Sequence, residues 1–369
     1  MKVLYITRGP SPYKTDFFNE LGKKCDLTVV FEMHPNEITD RDQEWCKENF
    51  LYFKGEYFGG IRFRVGYNYW SFDIFKWFLK FREYDYVIMG MYSTPIESAL
   101  IVLSKICKVK YIISSEGGFI KKDKILVGLY KRFLLKNAEL YLASGELTKK
   151  YLEYYCAEKD KIRLYPFTSY KEEDVFKQSI SNEKKTDLKN KYGIKEKKVI
   201  LGVGSFIHRK GWDVLIKADR YIEKDVGLYI VGGKTIDIYT RIIEEYDLKN
   251  IHFVEFKNKS ELADYYRMAD LFVLPTRYDI WGLVINEAMS YGLPVITTET
   301  CIAGVELIDN AINGYIVKNE DYIDLSEKIN LLLKDEALMK KMGKNNMIKI
   351  QDYTIEKMAA STFESLMEI

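Results

Sequence analysis

Histidine is scarce, with only His34, His208 and His252 in 369 residues. None forms a constellation with serine or cysteine, and His208 alone neighbours a segment singled out below, where it suits turn structure better than catalysis. The five cysteines, Cys25, Cys46, Cys107, Cys156 and Cys301, are odd in number and scattered, with no CxxC pair. They form neither a disulfide framework nor a metal-ligand spacing, and they suit reduced thiols in a cytosolic protein. No apolar run reaches the roughly 18 residues of a membrane span. The opening "MKVLYITRGP" carries a short apolar strand in place of a charged leader and long apolar core. The expectation is a protein neither exported by a signal peptide nor integral to a membrane. Net charge is also missing. The +2 balance and a pI near 8.0 fall short of the pI above about 9 usual for nucleic-acid binders, so no nucleic-acid partner is expected.

What the chain has is core and alternation. Hydrophobic residues at 47% beside 30% charged residues describe a soluble globular protein, and its length makes two domains the default. "KVLYIT" (2–7), "DLTVVFE" (26–32), "YDYVIMG" (84–90), "VKYIISS" (109–115) and "ELYLASG" (139–145) read as strands separated by helical patterns. A second set follows the polar stretch 177–198: "VILGVGS" (199–205), "VGLYIVGG" (226–233), "IHFVEF" (251–256), "LFVLPT" (271–276) and "PVITTE" (294–299). Parallel strands with crossover helices predict an α/β fold of two Rossmann-like doubly wound domains facing a central cleft. The domains are expected at 1–175 and 176–351, with a terminal amphipathic helix at 352–369 packing back on the first. In such sheets ligands bind beyond the carboxyl ends of the strands.

The segment "PTRYDIWGLVINEAMSYGLPV" (275–295) places Asp279 on a loop and Glu287 inside an apolar helix running from about Leu283 to Tyr291. Gly292 and Pro294 end that helix. An isolated carboxylate among Leu283, Val284, Ile285, Ala288 and Met289 is costly unless paired. A neighbouring arginine or backbone could satisfy it; so could the vicinal hydroxyls of a ribose. The amides of Ile280, Trp281, Gly282 and Leu283 open the helix, where anionic or hydroxyl-rich ligands bind well. A second segment, "GVGSFIHRKGWDVLIKA" (202–218), runs from strand through a glycine-punctuated turn into a helix beginning near Trp212. It sets Arg209 and Lys210 beside a helix N-terminus, an arrangement a diphosphate requires, although such a pair alone is usually just solvated charge.

These two stretches resemble the nucleotide-binding domain of glycosyltransferase family 4, the retaining GT-B enzymes, whose signature is a Glu, seven residues, then a second Glu. Asp279 and Glu287 match that spacing with Asp in the first place, and the resemblance is dense from about Val199 to Val317, including "IAGVELIDNAINGYIV". It implies an enzyme that moves a sugar from a nucleotide-diphosphate sugar to a saccharide or lipid-linked acceptor in cell-surface glycan assembly. The expected base is uridine ahead of guanosine, and neither metal nor other cofactor is expected. Lys210 and Arg209 would hold the diphosphate and offset charge on the departing nucleotide. Glu287 would bind the ribose, Asp279 a hydroxyl of the transferred sugar, and the 280–283 amides would lie alongside. The chain departs from the family at Ser205, where an arginine commonly follows the strand glycine; Arg209 is the residue available to replace that charge. Asp279 is also one methylene shorter than the family's glutamate.

In the first half, "RGPSPYK" (8–14) fills the first strand-to-helix loop. Gly9 would let backbone approach the donor and Lys14 would add a cation, unless the segment is an ordinary Pro-Ser turn. "SSEGG" (114–118) offers Glu116 to acceptor or sugar, without the histidine motif family members often carry here. "DRD" (40–42) mimics a metal-binding motif but follows no apolar strand. The aromatic-rich stretch 45–81 could stack on sugars, yet such runs are mostly core. The helix near 121–136 gathers Lys121, Lys122, Lys124, Lys131, Arg132 and Lys136 opposite Leu126, Val127, Tyr130, Phe133 and Leu134. That pattern suits a surface helix packing its apolar side on the sheet; the alternative is peripheral contact with anionic lipid at the inner membrane face, which would fit a lipid-linked acceptor. Two other functions fit the same fold: a non-catalytic GT-B partner subunit, and a sugar-nucleotide epimerase, against which the scarcity of histidine weighs.

Overall fold

β-branched runs bounded by glycine, proline and asparagine form strands, and the amphipathic stretches between them form helices, in both halves of the chain. The computed structural model describes residues 1–37, 49–175 and 180–369; the DRD motif, Trp45 and Cys46 lie outside these, as does the start of the polar stretch at 177–179. The chain divides into two units, one of Met1–Ser169 with Tyr353–Ile369 and one of Tyr170–Asp352.

In the first unit come β1 (Lys2–Thr7), α1 (Pro12–Gly22), β2 (Asp26–Phe31), β3 (Lys54–Tyr57), and the strands β4 (Arg62–Val65) and β5 (Asn68–Ser71). Then follow α2 (Ile74–Lys80), β6 (Tyr86–Met89), α3 (Pro95–Cys107), β7 (Ile112–Ser115), α4 (Ile125–Leu135), β8 (Leu140–Ala143), α5 (Glu146–Tyr154) and β9 (Ile162–Leu164). The second unit holds α6 (Asn182–Lys191), β10 (Lys198–Val203), α7 (Trp212–Asp219), β11 (Val226–Val231), α8 (Asp237–Glu245), β12 (Ile251–Val254) and α9 (Lys259–Met268). It continues with β13 (Leu271–Leu274), α10 (Leu283–Ser290), β14 (Val295–Thr298), α11 (Ile302–Leu307), β15 (Gly314–Val317), α12 (Tyr322–Lys334) and α13 (Glu336–Lys349). The last helix, α14 (Ile355–Met367), packs against α1 of the first unit.

The first sheet has the order β3-β2-β1-β6-β7-β8-β9 and the second β12-β11-β10-β13-β14-β15, with every neighbouring pair parallel. Both are Rossmann-like, doubly wound sheets. Each has a switch point where strand order reverses, β1/β6 in one and β10/β13 in the other, the place where such sheets bind ligands beyond the carboxyl ends of their strands. Strands β1, β2, β10, β11 and β13 are buried almost throughout, as two-sided parallel sheets require. Residues 170–175, assigned to the first domain on sequence, pack in the second unit: Tyr170 meets Tyr291 edge-on at 6.4 Å and Asp174 bridges Lys259 at 2.7 Å.

Two expectations are overturned. The aromatic-rich stretch is not mainly core: Phe53, Phe58, Trp77 and Phe81 are buried, whereas Tyr52, Phe63, Tyr67, Phe72 and Phe75 are exposed, several of them on the antiparallel β4–β5 hairpin and α2. Nor does α4 lay its apolar side on the sheet; of Leu126, Val127, Tyr130, Phe133 and Leu134, only Leu134 is buried. No helix among the described residues is long and apolar enough to cross a membrane.

Beside the first switch point, Glu32 and Glu97 are both inaccessible to solvent. Thr94 Oγ1 lies 2.6 Å from Glu32 Oε1 and 3.3 Å from Glu97 Oε2, while the Met91 amide donates to Glu97 Oε1 at 3.0 Å. Burial pushes the Glu32 carboxyl up to about 7, against the pull of Thr94, Arg8 and Lys14. Glu97 is raised well above the usual carboxylate range, by burial first and by the Glu32 charge second. Because both folded-state values exceed the unfolded ones, their contribution is fully present below about 4.5 and is lost as pH rises, for Glu32 through about 7. Urea unfolding should therefore show stability falling by about 1 to 3 kcal/mol between mildly acidic and mildly alkaline pH. Glu97→Gln should flatten that slope, and a wild type with no slope would refute the buried pair's role.

Candidate nucleotide-diphosphate site

The second switch point explains why two distant segments meet. β10 and β13 are neighbours, in register at Ile200↔Leu271 and Leu201↔Phe272, so the loops leaving their carboxyl ends run side by side. After β10 the chain turns through Ser205 and a short 3₁₀ turn, His208–Lys210, before α7. Gly211, between turn and helix, has φ of 69°, and a Cβ there would fall 2.1 Å from the Pro275 carbonyl oxygen. Only glycine permits that backbone conformation and that approach together. Across the seam, the Arg277 amide and the Thr276 hydroxyl both donate to the Arg209 carbonyl, at 2.8 and 2.9 Å.

An arginine that sequence reasoning passed over tightens this seam. The Arg277 guanidinium forks onto Asp213 of α7 with two 2.8 Å bonds, reaches the His208 carbonyl at 2.7 Å, and meets Glu320 at 2.7 Å. Burial works to raise the Asp213 carboxyl, but the Arg277 bonds and charge outweigh it and hold it below its ordinary range. No periodicity could reveal this pairing, since its partners lie on different elements.

The seam holds three charged groups together. Lys210 Nζ lies 2.6 Å from Asp279 Oδ2, and Arg209 Nη1 lies 2.9 Å from Asp279 Oδ1. Arg209 also donates to the Tyr278 carbonyl at 3.1 Å. Lys210 and Asp279 each expose 11% of their side chains and Arg209 30%, so the lysine–aspartate contact is the better shielded from water. Asp279 therefore spends both oxygens on the two cations, which differs from its reading as a free ligand of the transferred sugar. Lys210 carries three N–H donors and Arg209 five, so both keep donors for a further anion.

Glu287 lies one helical stretch on, in α10. Its Oε2 accepts from the Tyr266 hydroxyl at 2.8 Å, and Oε1 accepts no hydrogen bond from the described residues. The partner is thus neither arginine nor backbone but a tyrosine on α9, itself buried and stacked flat on Tyr291 at 5.1 Å. Burial raises the Glu287 carboxyl, while Tyr266, Lys259 and Lys210 lower it, and the net direction is upward. Between Asp279 and Glu287 the loop is pinned. The Asp279 amide donates to Thr300, Trp281 is buried with its indole N–H on Asn286, and the Gly282 and Leu283 amides stand at the open end of α10. Ile280 is exposed, as is Ser205, whose carbonyl accepts from the Trp212 indole at 3.1 Å.

The first unit carries the other expected residues as a separate cluster. Lys14 Nζ lies 3.0 Å from Glu116 Oε1 and 3.1 Å from Thr7 Oγ1, and the Tyr13 hydroxyl donates to Glu116 Oε2 at 3.3 Å. Burial works against the Lys14 ammonium, but Glu116 more than compensates and holds it protonated. Tyr5, Ser114 and Tyr165 line the same small cavity, and Gly9 lies in the loop before α1. Among the described residues no group of three or more His, Cys, Asp or Glu is placed to hold a metal ion.

Comparison with known proteins bears on these loops. The model of the family "Glycosyl transferases group 1" matches residues 184–348, which include Lys210, Asp279 and Glu287. An uncharacterized 41.2 kDa protein in the cps region of Klebsiella pneumoniae is 30% identical over 261 residues, covering 66% of this chain and 68% of that one. The N,N'-diacetylbacillosaminyl-diphospho-undecaprenol alpha-1,3-N-acetylgalactosaminyltransferase of Campylobacter jejuni is 24% identical over 221 residues, 60% of this chain and 58% of its own. The chain spans about half the length of the first curated relatives it matches, 52% and 44%. Anabaena HepE, solved in complex with UDP, matches over the full length of both chains with a TM-score of 0.79 at 16% identity, and so shows the GT-B fold. The family model's match over residues 184–348, which holds both loop motifs, identifies the chain as a member of the glycosyl transferases group 1 family.

Proposed function

We propose that this protein is a retaining glycosyltransferase that moves a hexosyl group from a nucleotide-diphosphate sugar, UDP-linked ahead of GDP-linked, to a saccharide or lipid-linked acceptor in cell-surface glycan assembly. The observation that carries the reading is the pair of cations, Lys210 and Arg209, held on the two oxygens of one carboxylate at a strand switch point. Two cations fixed in advance need no reorganisation when negative charge develops on a departing diphosphate. The Campylobacter relative's name, with its diphospho-undecaprenol acceptor, and the UDP in the HepE crystals support the same class of donor and acceptor.

In this reading the bond from the sugar's anomeric carbon to the β-phosphate oxygen breaks as the acceptor hydroxyl attacks from the same face. The acceptor's proton passes to the leaving phosphate, so the products are a glycoside of unchanged anomeric configuration and a nucleoside diphosphate. Lys210 and Arg209 offset the leaving group's charge while Asp279 keeps them in place. The open Oε1 of Glu287 takes ribose hydroxyls, with Oε2 fixed by Tyr266. Lys14 and Glu116 serve the acceptor or the sugar. No protein nucleophile and no metal takes part.

Nucleotide release and product analysis over a panel of sugar nucleotides test this. A new glycoside with nucleotide release is expected; binding without turnover would mean a non-catalytic partner, and interconverted sugars an epimerase. Glu287→Gln is expected to raise the donor KM about 10- to 100-fold by replacing a charged acceptor with a neutral amide. Because the Glu287 carboxyl is raised in the folded state, its contribution is lost as pH rises above the ordinary glutamate range. The same variant should therefore gain thermal stability near neutral pH even as it loses donor affinity.

A further inference from the structure

Between β3 and α2 the chain leaves the main sheet, and β4 and β5 pair in a two-stranded sheet of their own. Two antiparallel strands alone are marginal in water, so the hairpin depends on what anchors it. Arg62 holds its root, forking onto Glu37 at 2.9 and 3.0 Å, donating to the Glu32 carbonyl and lying 4.8 Å over the Tyr69 ring. Arg8, in the loop after β1, donates to the Tyr67 carbonyl at 3.1 Å and holds the turn. The hairpin is therefore fastened to the loops leaving β1 and β2, at the carboxyl edge of the first sheet, where such sheets bind ligands.

The turn presents one open ring between two cations. Gly66, with φ of 63°, and Tyr67 make the two-residue turn, and Tyr67 is 82% exposed. The Arg64 guanidinium donates to the Gly66 carbonyl at 2.9 Å, next to the Tyr67 carbonyl that Arg8 holds, so two guanidinium groups stand at adjacent carbonyls of the turn. Both arginines are exposed and form no ion pair among the described residues, whereas Glu37 offsets Arg62. No acid occurs from Tyr57 to Phe72. Behind the turn, Phe63 and Trp70 pair across the strands with ring centroids 6.5 Å apart, and exposed Phe72 lies 6.2 Å from Phe63. An open ring offers a flat apolar face to the C–H side of a pyranose, and guanidinium forks match carboxylates. A stable protein interface takes about 20 to 30 residues a side; the hairpin spans only Arg62–Ser71.

We propose that the hairpin turn binds an anionic saccharide, an acceptor chain that carries uronate-type carboxylates. Tyr67 stacks on one sugar ring, and Arg64 and Arg8 take carboxylates beside it. Arg8 belongs to the loop that leads into the helix of Lys14, so the turn and the Lys14–Glu116 cluster share one edge of the first unit. The inference deepens the transfer reading, on which it rests for a saccharide acceptor, by naming that acceptor's chemical class.

Affinity electrophoresis of the full chain tests it, in native gels containing polygalacturonate, neutral dextran or polyacrylate, a carboxylate polymer without sugar rings. Polygalacturonate should retard the wild type with an apparent affinity about tenfold or more above that for either other polymer, the gain that guanidinium–carboxylate bonds and ring stacking supply together. The advantage over dextran should shrink as salt rises. Tyr67→Ala should weaken retardation by polygalacturonate about tenfold, and Tyr67→Phe should retain it, because the ring and not the hydroxyl stacks. Arg8→Ala with Arg64→Ala should abolish the preference for polygalacturonate over dextran. Being exposed, these positions should leave circular dichroism unchanged. Equal retardation by polyacrylate would reduce the surface to bare charge, and equal retardation by dextran would remove the role of the arginines; either overturns the proposal. So would absence of retardation in every gel, or concentration-dependent dimerisation that Tyr67→Ala abolishes, which would make this a self-association surface. UDP binding, measured on the same samples by thermal shift, keeps the two readings apart: retained UDP binding without retardation by polygalacturonate rejects the saccharide site alone, and the reverse rejects the donor site alone.

Discussion

Lys210→Ala is expected to lower kcat for glycosyl transfer by about 10²- to 10³-fold, the magnitude lost when one preorganised stabiliser of developing negative charge is removed. The shielding of the Lys210–Asp279 contact is the reason. A charge screened from water acts through a lower effective dielectric, so its attraction for a phosphate oxygen is several times that of a solvated lysine. Arg209 exposes more of its side chain and divides its donors between Asp279 and the Tyr278 carbonyl, so Arg209→Ala should cost less than Lys210→Ala. The lysine variant should remain folded, because Asp279 keeps Arg209 as a partner and its backbone stays tied to Thr300. Steady-state kinetics on a donor that the wild type uses decide the matter. Wild-type kcat in Lys210→Ala would place the diphosphate elsewhere, and a change confined to donor KM would assign the lysine to ground-state binding.

The same comparison shows what sequence could and could not supply. The strand runs around Val199, Val226 and Leu271 are continuous, β-branched and glycine-bounded, and a two-sided buried strand has few other ways to look. From their order the carboxyl-edge loops follow, and with them Arg209, Lys210, Asp279 and Glu287. Short strands did not declare themselves: β3 reads Lys-Gly-Glu-Tyr, with neither alternation nor an apolar run, and forms because β2 offers an edge in register. Arg277 and Tyr266 were equally invisible. An arginine next to a strand end and a tyrosine in a polar helix carry no local mark of their partners, which lie 64 and 21 residues away. Helix α4 failed for a complementary reason. An amphipathic pattern states that one side differs from the other, but not whether a sheet, a partner or a bilayer covers the apolar side, and here only Leu134 and Leu135 turn inward.

Gly211→Ala is the second large effect expected, and it acts on position alone. The substitution removes no charged group, yet its methyl would be built 2.1 Å from the Pro275 carbonyl oxygen, a backbone atom that moves only if the two loops part. Parting them would strain the bonds from Thr276 and Arg277 to the Arg209 carbonyl, on which the spacing of Arg209 and Lys210 from Asp279 depends. A stability loss of about 2 to 4 kcal/mol in urea is expected, combining left-handed backbone strain with overpacking. Turnover should fall about 100-fold, as for ångström-scale misplacement of a catalytic group. Gly193 supplies the control, with φ of 68° and nothing within 4 Å of its would-be Cβ. Gly193→Ala meets the backbone strain without the clash, so it should cost about 1 to 2 kcal/mol and leave turnover unchanged. If both variants lose stability equally and both stay active, the close approach of the loops is incidental. If only Gly211→Ala loses turnover, the meeting of the two backbones at the switch point is what spaces the cations for a diphosphate.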